Sequence, residues 1–102
     1  MKKFGLKVSK RKIVEFCKRN HIRSLSLFGS ILRNDFSRSS DIDMLVEFEI
    51  GYVPGFFHLI EIEEELSYVF SGRKVDLRTP NDLSRYFRDD VLAEAEAVYI
   101  ES

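Results

Sequence analysis

The chain has 102 residues and a mass of 12.0 kDa, with 44% hydrophobic, 13% aromatic and 32% charged residues. A chain of this size buries one core, so we expect one compact domain over residues 1–102, which excludes a multidomain enzyme. Cys17 is the only cysteine, which excludes an internal disulfide and a cysteine-based zinc site. The sequence has no apolar run of membrane-spanning length and no leader-like start, so we expect it in a reducing cytoplasm, away from membranes.

Charge is distributed unevenly along the chain. Nine of the 16 basic residues lie in residues 1–23, where Glu15 is the only acid, although the net charge of the whole chain is −1. This basic N-terminal helical segment has three interpretations: a solvated helix face, a surface that attracts a polyanion such as ATP or nucleic acid, or a docking site for an acidic partner. The acidic balance of the remaining chain disfavours nucleic acid as the partner.

Hydrophobic periodicity predicts helices and strands in mixed order, without an internal repeat. Ser9 is placed to cap a helix over residues 10–19, and Asn20 to end it. Alternating apolar residues predict strands over residues 24–28 and 43–49.

The second half of the chain continues the mixture. Residues 56–70 predict an amphipathic helix, with the acids of 61–65 on a solvated face, and residues 74–78 predict a short strand. A helical region in two pieces follows over 80–95, and a last strand over 97–100. This order predicts an α/β or α+β fold in which helices cover a small mixed β-sheet.

Residues 29–48, GSILRNDFSRSSDIDMLVEF, contain the first candidate binding turn. Gly29 and Ser30 end one strand and begin a short helix, where free backbone N–H groups favour phosphate oxygens. Such dipeptides also end strands that bind nothing, so the turn alone does not decide. Arg33 is placed either to reach a phosphate or to pair with Asp35.

Three carboxylates form the stronger pattern. Asp41 and Asp43 are two residues apart at the start of a strand, so both point from the same face. Asp76 lies on the non-core face of another short strand and is expected to align beside them. Carboxylates this close repel unless a cation or proton neutralises them, and hard oxygen ligands suit Mg²⁺ bound with substrate phosphates. The pattern predicts metal-assisted phosphoryl or nucleotidyl transfer, whereas an isolated Asp-x-Asp is more often a solvated pair.

The motifs GSILRNDF and SDIDMLVEF, with KVDLRT and VLAEA-x-x-VY further on, resemble the minimal nucleotidyltransferase (MNT) group of the DNA polymerase beta superfamily. The resemblance implies the nucleotidyltransferase fold. It also implies that Gly29 and Ser30 bind the triphosphate of ATP, and that Asp41, Asp43 and Asp76 are catalytic and bind two Mg²⁺ ions.

The resemblance further implies a function. In two-gene toxin–antitoxin pairs of this family, the MNT protein is an antitoxin that transfers AMP from ATP to a tyrosine of a HEPN-domain RNase toxin. We therefore expect a protein adenylyltransferase that forms a hetero-oligomer with that toxin. The alternative is an antitoxin without catalysis that blocks the toxin by direct binding. A third reading, nucleic-acid binding through the basic segment, is disfavoured by the acidic remainder of the chain.

Overall fold

A four-stranded mixed sheet forms the centre of the protein in the computed structural model, which describes residues 6, 8–33, 36–37 and 39–102. The strands are β1 (Ile22–Phe28), β2 (Ile42–Phe48), β3 (Val75–Arg78) and β4 (Glu96–Ile100), in the spatial order β3-β2-β1-β4. β1 pairs antiparallel with β2 and β4, whereas β2 and β3 are parallel. The predicted α+β class with a small mixed sheet is confirmed, and each strand begins and ends within two residues of its predicted bounds.

Three α-helices and two short 3₁₀ turns complete the described elements. They are α1 (Lys10–Arg19), α2 (Phe56–Val69) and α3 (Arg88–Glu94), with turns over Gly29–Leu32 and Pro80–Asp82. α1 has its predicted bounds because the Ser9 hydroxyl accepts a hydrogen bond from the Lys12 N–H, 3.4 Å away, and Asn20 caps its end.

The last helical region forms two pieces, as predicted, but both are shorter than the interval 80–95. The guanidinium of Arg88 donates hydrogen bonds to the carbonyl oxygens of Pro80 and Leu83, at 2.8 and 3.0 Å. These bonds hold the non-helical connection between the pieces, so the helix begins only at Arg88.

The core lies on one face of the sheet, where α1 and α2 pack. Residues from both helices and from the strands are almost completely buried there: Ile13, Phe16, Cys17, Leu25, Leu27, Ile42, Met44, Val46, Ile62, Leu66 and Phe70. This burial follows the predicted period of two in the strands and the 3.6-residue period in the helices. The opposite face of the sheet is therefore the face that carries the polar residues of β2 and β3.

The acidic run on α2 is only partly solvated, so the prediction for residues 61–65 was wrong at two positions. A carboxylate oxygen of Glu63 accepts a hydrogen bond from the backbone N–H of Leu77, at 2.8 Å. Glu65 forms an ion pair with Arg19 on α1. These acids connect α2 to β3 and to α1.

None of the helices in the described part of the chain combines the length and the apolarity that crossing a bilayer requires.

Candidate active site

The acidic residues of β2 and β3 meet on the polar face of the sheet. Asp43 lies directly opposite Phe28 of β1 on one side and Asp76 of β3 on the other. Residues paired in register project from the same face, so the two aspartates stand side by side on neighbouring strands. Asp41 precedes β2 by one residue and thus lies at the end of the sheet where β1 passes into the Gly29 turn. Three segments that are distant in the sequence therefore contribute residues to one end of the sheet.

The Gly29 turn packs directly against Asp43. Gly29 has φ +78°, and a β-carbon there would overlap Oδ2 of Asp43 and lie 3.2 Å from its Cγ. Only glycine combines this left-handed backbone with such close approach. The next backbone N–H, that of Ser30, donates a hydrogen bond to the Asp43 carboxylate. The turn that was predicted to bind phosphate and the predicted metal-binding acid are thus adjacent.

The electrostatic surroundings of Asp43 are unfavourable to its charge. Its pKa is raised above the ordinary value, mainly because the carboxyl is partly buried and next because the negative charges of Asp76 and Asp41 lie close. The Arg78 guanidinium and the Ser30 N–H act in the opposite direction without cancelling the effect. A proton or a bound cation would relieve this excess of negative charge.

The other two aspartates are engaged with basic side chains. Oδ2 of Asp41 lies 3.7 Å from Nζ of Lys74, and Oδ2 of Asp76 lies 3.2 Å from Nη2 of Arg78. Both pairs are substantially exposed, so each contributes little to stability. Within the described residues, no three acidic, histidine or cysteine side chains converge on one point as a ready metal site.

The donor set nevertheless fits Mg²⁺. The oxygen ligands are of the hard type that this ion prefers, two of them are paired in register, and the raised pKa of Asp43 indicates uncompensated negative charge. Lys74 and Arg78 are exposed cations that an incoming metal ion can replace without opening the core.

A cavity of about 240 Å³ opens beside the Asp43 carboxylate. Six residues line it: Phe28, Gly29, Arg33, Asp43, Val91 and Glu94. Val91 and Glu94 of α3 were not identified as site residues from the sequence, because VLAEA was used there only as part of the family motif. Their spacing of three, Val91 to Glu94, does place both on one helix face. A cavity of about 420 Å³ between α1 and β4 is larger, but none of the three aspartates lines it.

Arg33 faces this cavity with an exposed side chain, and no described residue forms an ion pair or hydrogen bond with its guanidinium. The pairing with Asp35 that the sequence left open falls on a residue outside the described part of the chain. The other expectation for Arg33, contact with a phosphate, stays a prediction; Arg33 lines the same cavity as Gly29.

Comparison with known proteins adds sequence relatives to this geometry. The family described as Polymerase beta, Nucleotidyltransferase matches residues 11–102. Protein adenylyltransferase MntA of Thermococcus cleftensis is 35% identical over 86 residues, which is 84% of this chain and 82% of that protein.

Two solved structures share the fold. A toxin–antitoxin with AMP-PNP superposes with a TM-score of 0.71 at 21% identity, covering 93% of this chain and 76% of that chain. The tri-AMPylated HEPN toxin of Shewanella oneidensis in complex with MNT antitoxin superposes with a TM-score of 0.63 at 19% identity, covering 90% and 70% of the two chains. At these identities the superpositions establish the fold.

Proposed function

The chain belongs to the polymerase beta nucleotidyltransferase family, in its minimal nucleotidyltransferase group, and we propose that it is a protein adenylyltransferase that uses ATP. The observation that carries this proposal is the contact of the Gly29 turn with Asp43, which itself lies beside Asp76. A phosphate-binding turn and paired carboxylates are the two parts that nucleotidyl transfer requires in one place. We propose that residues 1–102 act as one such domain.

The proposed acceptor is a tyrosine of a HEPN-domain RNase toxin, and the chain is its antitoxin. Two kinds of support favour this partner: the related adenylyltransferase, and the likeness to chains from toxin–antitoxin complexes, one containing AMP-PNP and another an AMPylated HEPN toxin. The two proteins would form a hetero-oligomer. We propose the cytoplasm as the compartment, since ATP is available there and Cys17 stays reduced.

The residues have separate parts in the reaction. Gly29 and Ser30 bind the β and γ phosphates of ATP, and Arg33 adds positive charge. Ser30 does so through its hydroxyl, because its backbone N–H already donates to Asp43. The acceptor oxygen attacks the α phosphorus, the bond from that phosphorus to the bridging oxygen breaks, and pyrophosphate leaves with the electron pair. The proton of the acceptor hydroxyl passes toward Asp76. Magnesium ions, proposed as two, supply positive charge against the triphosphate when Asp41, Asp43 and Asp76 bind them.

Transfer of radiolabelled AMP tests the proposal. Purified chain, Mg²⁺, ATP labelled at the α phosphate and the co-encoded toxin are mixed, and label on the toxin is measured with wild type, Asp43→Asn and Asp90→Asn. Asp90 is an exposed acid in the first turn of α3 and serves as the matched control. We expect wild type and Asp90→Asn to label the toxin and Asp43→Asn to fail. Equal labelling by Asp43→Asn would show that the acid face is not the catalytic site.

A non-catalytic antitoxin is the second candidate, and one observation favours it. Asp41 and Asp76 contact Lys74 and Arg78, so the described acids do not form a ready metal site. In that case Asp43→Asn would neutralise the RNase activity of the toxin as well as wild type does, at one antitoxin per toxin and without ATP. Neutralisation that needs ATP and acts at substoichiometric amounts identifies the enzyme instead.

A further inference from the structure

The cavity beside Asp43 has one acid that the proposed chemistry does not use. Glu94, the last residue of α3, lines it together with Val91, Phe28 and Arg33. The Glu94 side chain is exposed, and no described residue forms an ion pair or hydrogen bond with its carboxylate. The cavity therefore offers a carboxylate that is free to accept a hydrogen bond.

A carboxylate in this cavity is costly for a phosphate-binding site unless it has a partner on the ligand. The triphosphate is strongly negative, and an unpaired acid nearby repels it. An ionised carboxylate only accepts hydrogen bonds, so its favourable contact must be with an N–H or O–H group. The nucleoside part of a nucleotide presents both: the exocyclic amine of adenine and the ribose hydroxyls.

The size and lining of the cavity match a nucleoside better than a whole nucleotide. Its volume of about 240 Å³ is below the roughly 300–1,000 Å³ of pockets that enclose complete drug-sized ligands. Phe28 and Val91 provide apolar surface for a base, while Gly29 and Arg33 belong to the phosphate end. The phosphates thus lie along the turn, and the nucleoside reaches toward α3.

We infer that Glu94 is a specificity-determining residue, whose carboxylate accepts a hydrogen bond from an N–H or O–H donor of the bound nucleoside. This inference rests on the proposed function, because it assumes that a nucleotide occupies the cavity. If Glu94 faces the C6 substituent of the base, an acceptor-only carboxylate favours adenine, whose N6 amine donates, over guanine, whose O6 accepts. A ribose hydroxyl is the other source of the same donor chemistry.

Nucleotide binding by calorimetry separates the two donors. The full chain with Mg²⁺ is titrated with ATP, GTP, 2′-deoxy-ATP and 3′-deoxy-ATP, for wild type, Glu94→Ala and Glu94→Gln. Glu64→Ala removes an exposed acid of α2 that does not line the cavity and controls for net charge. Because Glu94 is exposed, we expect all variants to fold, which circular dichroism verifies.

We expect Glu94→Ala to weaken ATP binding roughly 10-fold or more, as for loss of a hydrogen bond to a charged group, while Glu64→Ala changes nothing. If the donor is the adenine amine, the preference for ATP over GTP falls toward one in Glu94→Ala. If the donor is a ribose hydroxyl, Glu94→Ala no longer weakens the binding of the deoxynucleotide that lacks that hydroxyl. Glu94→Gln, which keeps the size and one acceptor, retains part of the affinity.

A gain of nucleotide affinity on substitution of Glu94 overturns the inference. If Glu94 acts only by repulsion, Glu94→Ala and Glu94→Gln bind all four nucleotides equally or more tightly than wild type, without a change in preference. Wild type that binds ATP and transfers AMP, with Glu94→Ala behaving identically, refutes the role of Glu94 and leaves the proposed function intact. Wild type that binds no nucleotide refutes both.

Discussion

The Asp43 carboxylate is held where its charge is disfavoured, because it is partly buried and two other acids lie near it. Its pKa is raised in the folded state, so the folded chain holds this proton more firmly than the unfolded chain does. The stabilisation is complete below the ordinary pKa of about 3.9 and is lost as the pH rises through the folded-state pKa. At neutral pH the ionised Asp43 therefore opposes folding.

We predict that Asp43→Asn raises the melting temperature at pH 7 in the absence of metal, because it removes this charge at almost constant volume. The difference from wild type shrinks as the pH falls through the raised pKa of Asp43, because the carboxyl then becomes protonated. Added Mg²⁺ raises the melting temperature of wild type and has less effect on the variant. Thermal melts at several pH values, with and without Mg²⁺, measure all three effects. A variant less stable than wild type at pH 7 would mean that the hydrogen bond from Ser30 outweighs the repulsion.

Asp76 is proposed to act on the acceptor side of the reaction. We predict that Asp76→Ala binds Mg²⁺-ATP within a few-fold of wild type, since the Gly29 turn and the other two acids remain. Transfer falls roughly 10²-fold or more, as expected when positioned proton transfer is lost. Calorimetry and toxin labelling on the same preparation measure the two steps.

If Asp76→Ala transfers AMP normally, the third metal-binding carboxylate must be another residue. Glu47 is a poor replacement because its carboxylate accepts hydrogen bonds from Arg23 and Ser24, at 3.0 and 3.2 Å. Asp35, the other candidate from the sequence, lies outside the described residues. Glu94 lines the cavity with Asp43 and would be the next acid to substitute.

The individual acids were predictable from the sequence, but not all of their neighbours were. Strand alternation places Asp41, Asp43 and Asp76 on the non-core face, and register then brings the last two together. The close approach of Gly29 to Asp43 depends on how β1 ends against β2, which no local pattern encodes. Glu94 reaches the cavity only through the packing of α3.

Among the helices and strands, prediction succeeded where local signals decide. The bounds of α1 follow from the Ser9 cap and from Asn20, whose side chain donates a hydrogen bond to the Phe16 carbonyl at 2.9 Å. The length of the helical region after β3 depends instead on contacts of the Arg88 guanidinium with carbonyl oxygens. Such contacts leave no periodic pattern in the sequence.

The reactivity of Cys17, on the buried face of α1, reports how tightly α1 packs against the sheet. Its side chain is completely buried, and burial raises the pKa of the thiol to about 12. We predict that a thiol-reactive dye at pH 8 does not modify the folded chain, since the thiolate is scarce and inaccessible, but reacts fully in denaturant. Rapid stoichiometric modification without denaturant would show that α1 separates readily from the sheet.

The molecule as a whole presents apolar side chains to solvent at one end of α2. Phe56 and Phe57 are 72% and 78% exposed, and Tyr68 near the other end of the helix is 82% exposed. Two adjacent exposed phenylalanines are typical of a surface that associates with another protein, whereas a single exposed tyrosine is not. Because Phe56 and Phe57 are exposed, they add little to the buried core.

We predict that the chain without the proposed toxin partner self-associates, and that Phe57→Ser reduces this association while leaving the melting temperature nearly unchanged. Tyr68→Ser is the matched control, since it removes an equally exposed ring from the far end of α2. Sedimentation velocity over a range of concentrations measures the effect. A wild-type chain that stays monomeric at high concentration and ignores the co-encoded toxin would contradict both this prediction and the antitoxin proposal.

The proposed site residues are widely spaced along the chain, from Gly29 through Asp43 and Asp76 to Glu94. They meet through β1–β2 and β2–β3 pairing and the docking of α3. During synthesis, β3 joins the sheet late because its parallel partner, β2, lies more than 25 residues earlier. A ribosome that has made two thirds of the chain has made Gly29, Asp41 and Asp43 but neither Asp76 nor Glu94, so the site is still incomplete. Under the proposed function, a product interrupted before β3 lacks Asp76 and would not transfer AMP.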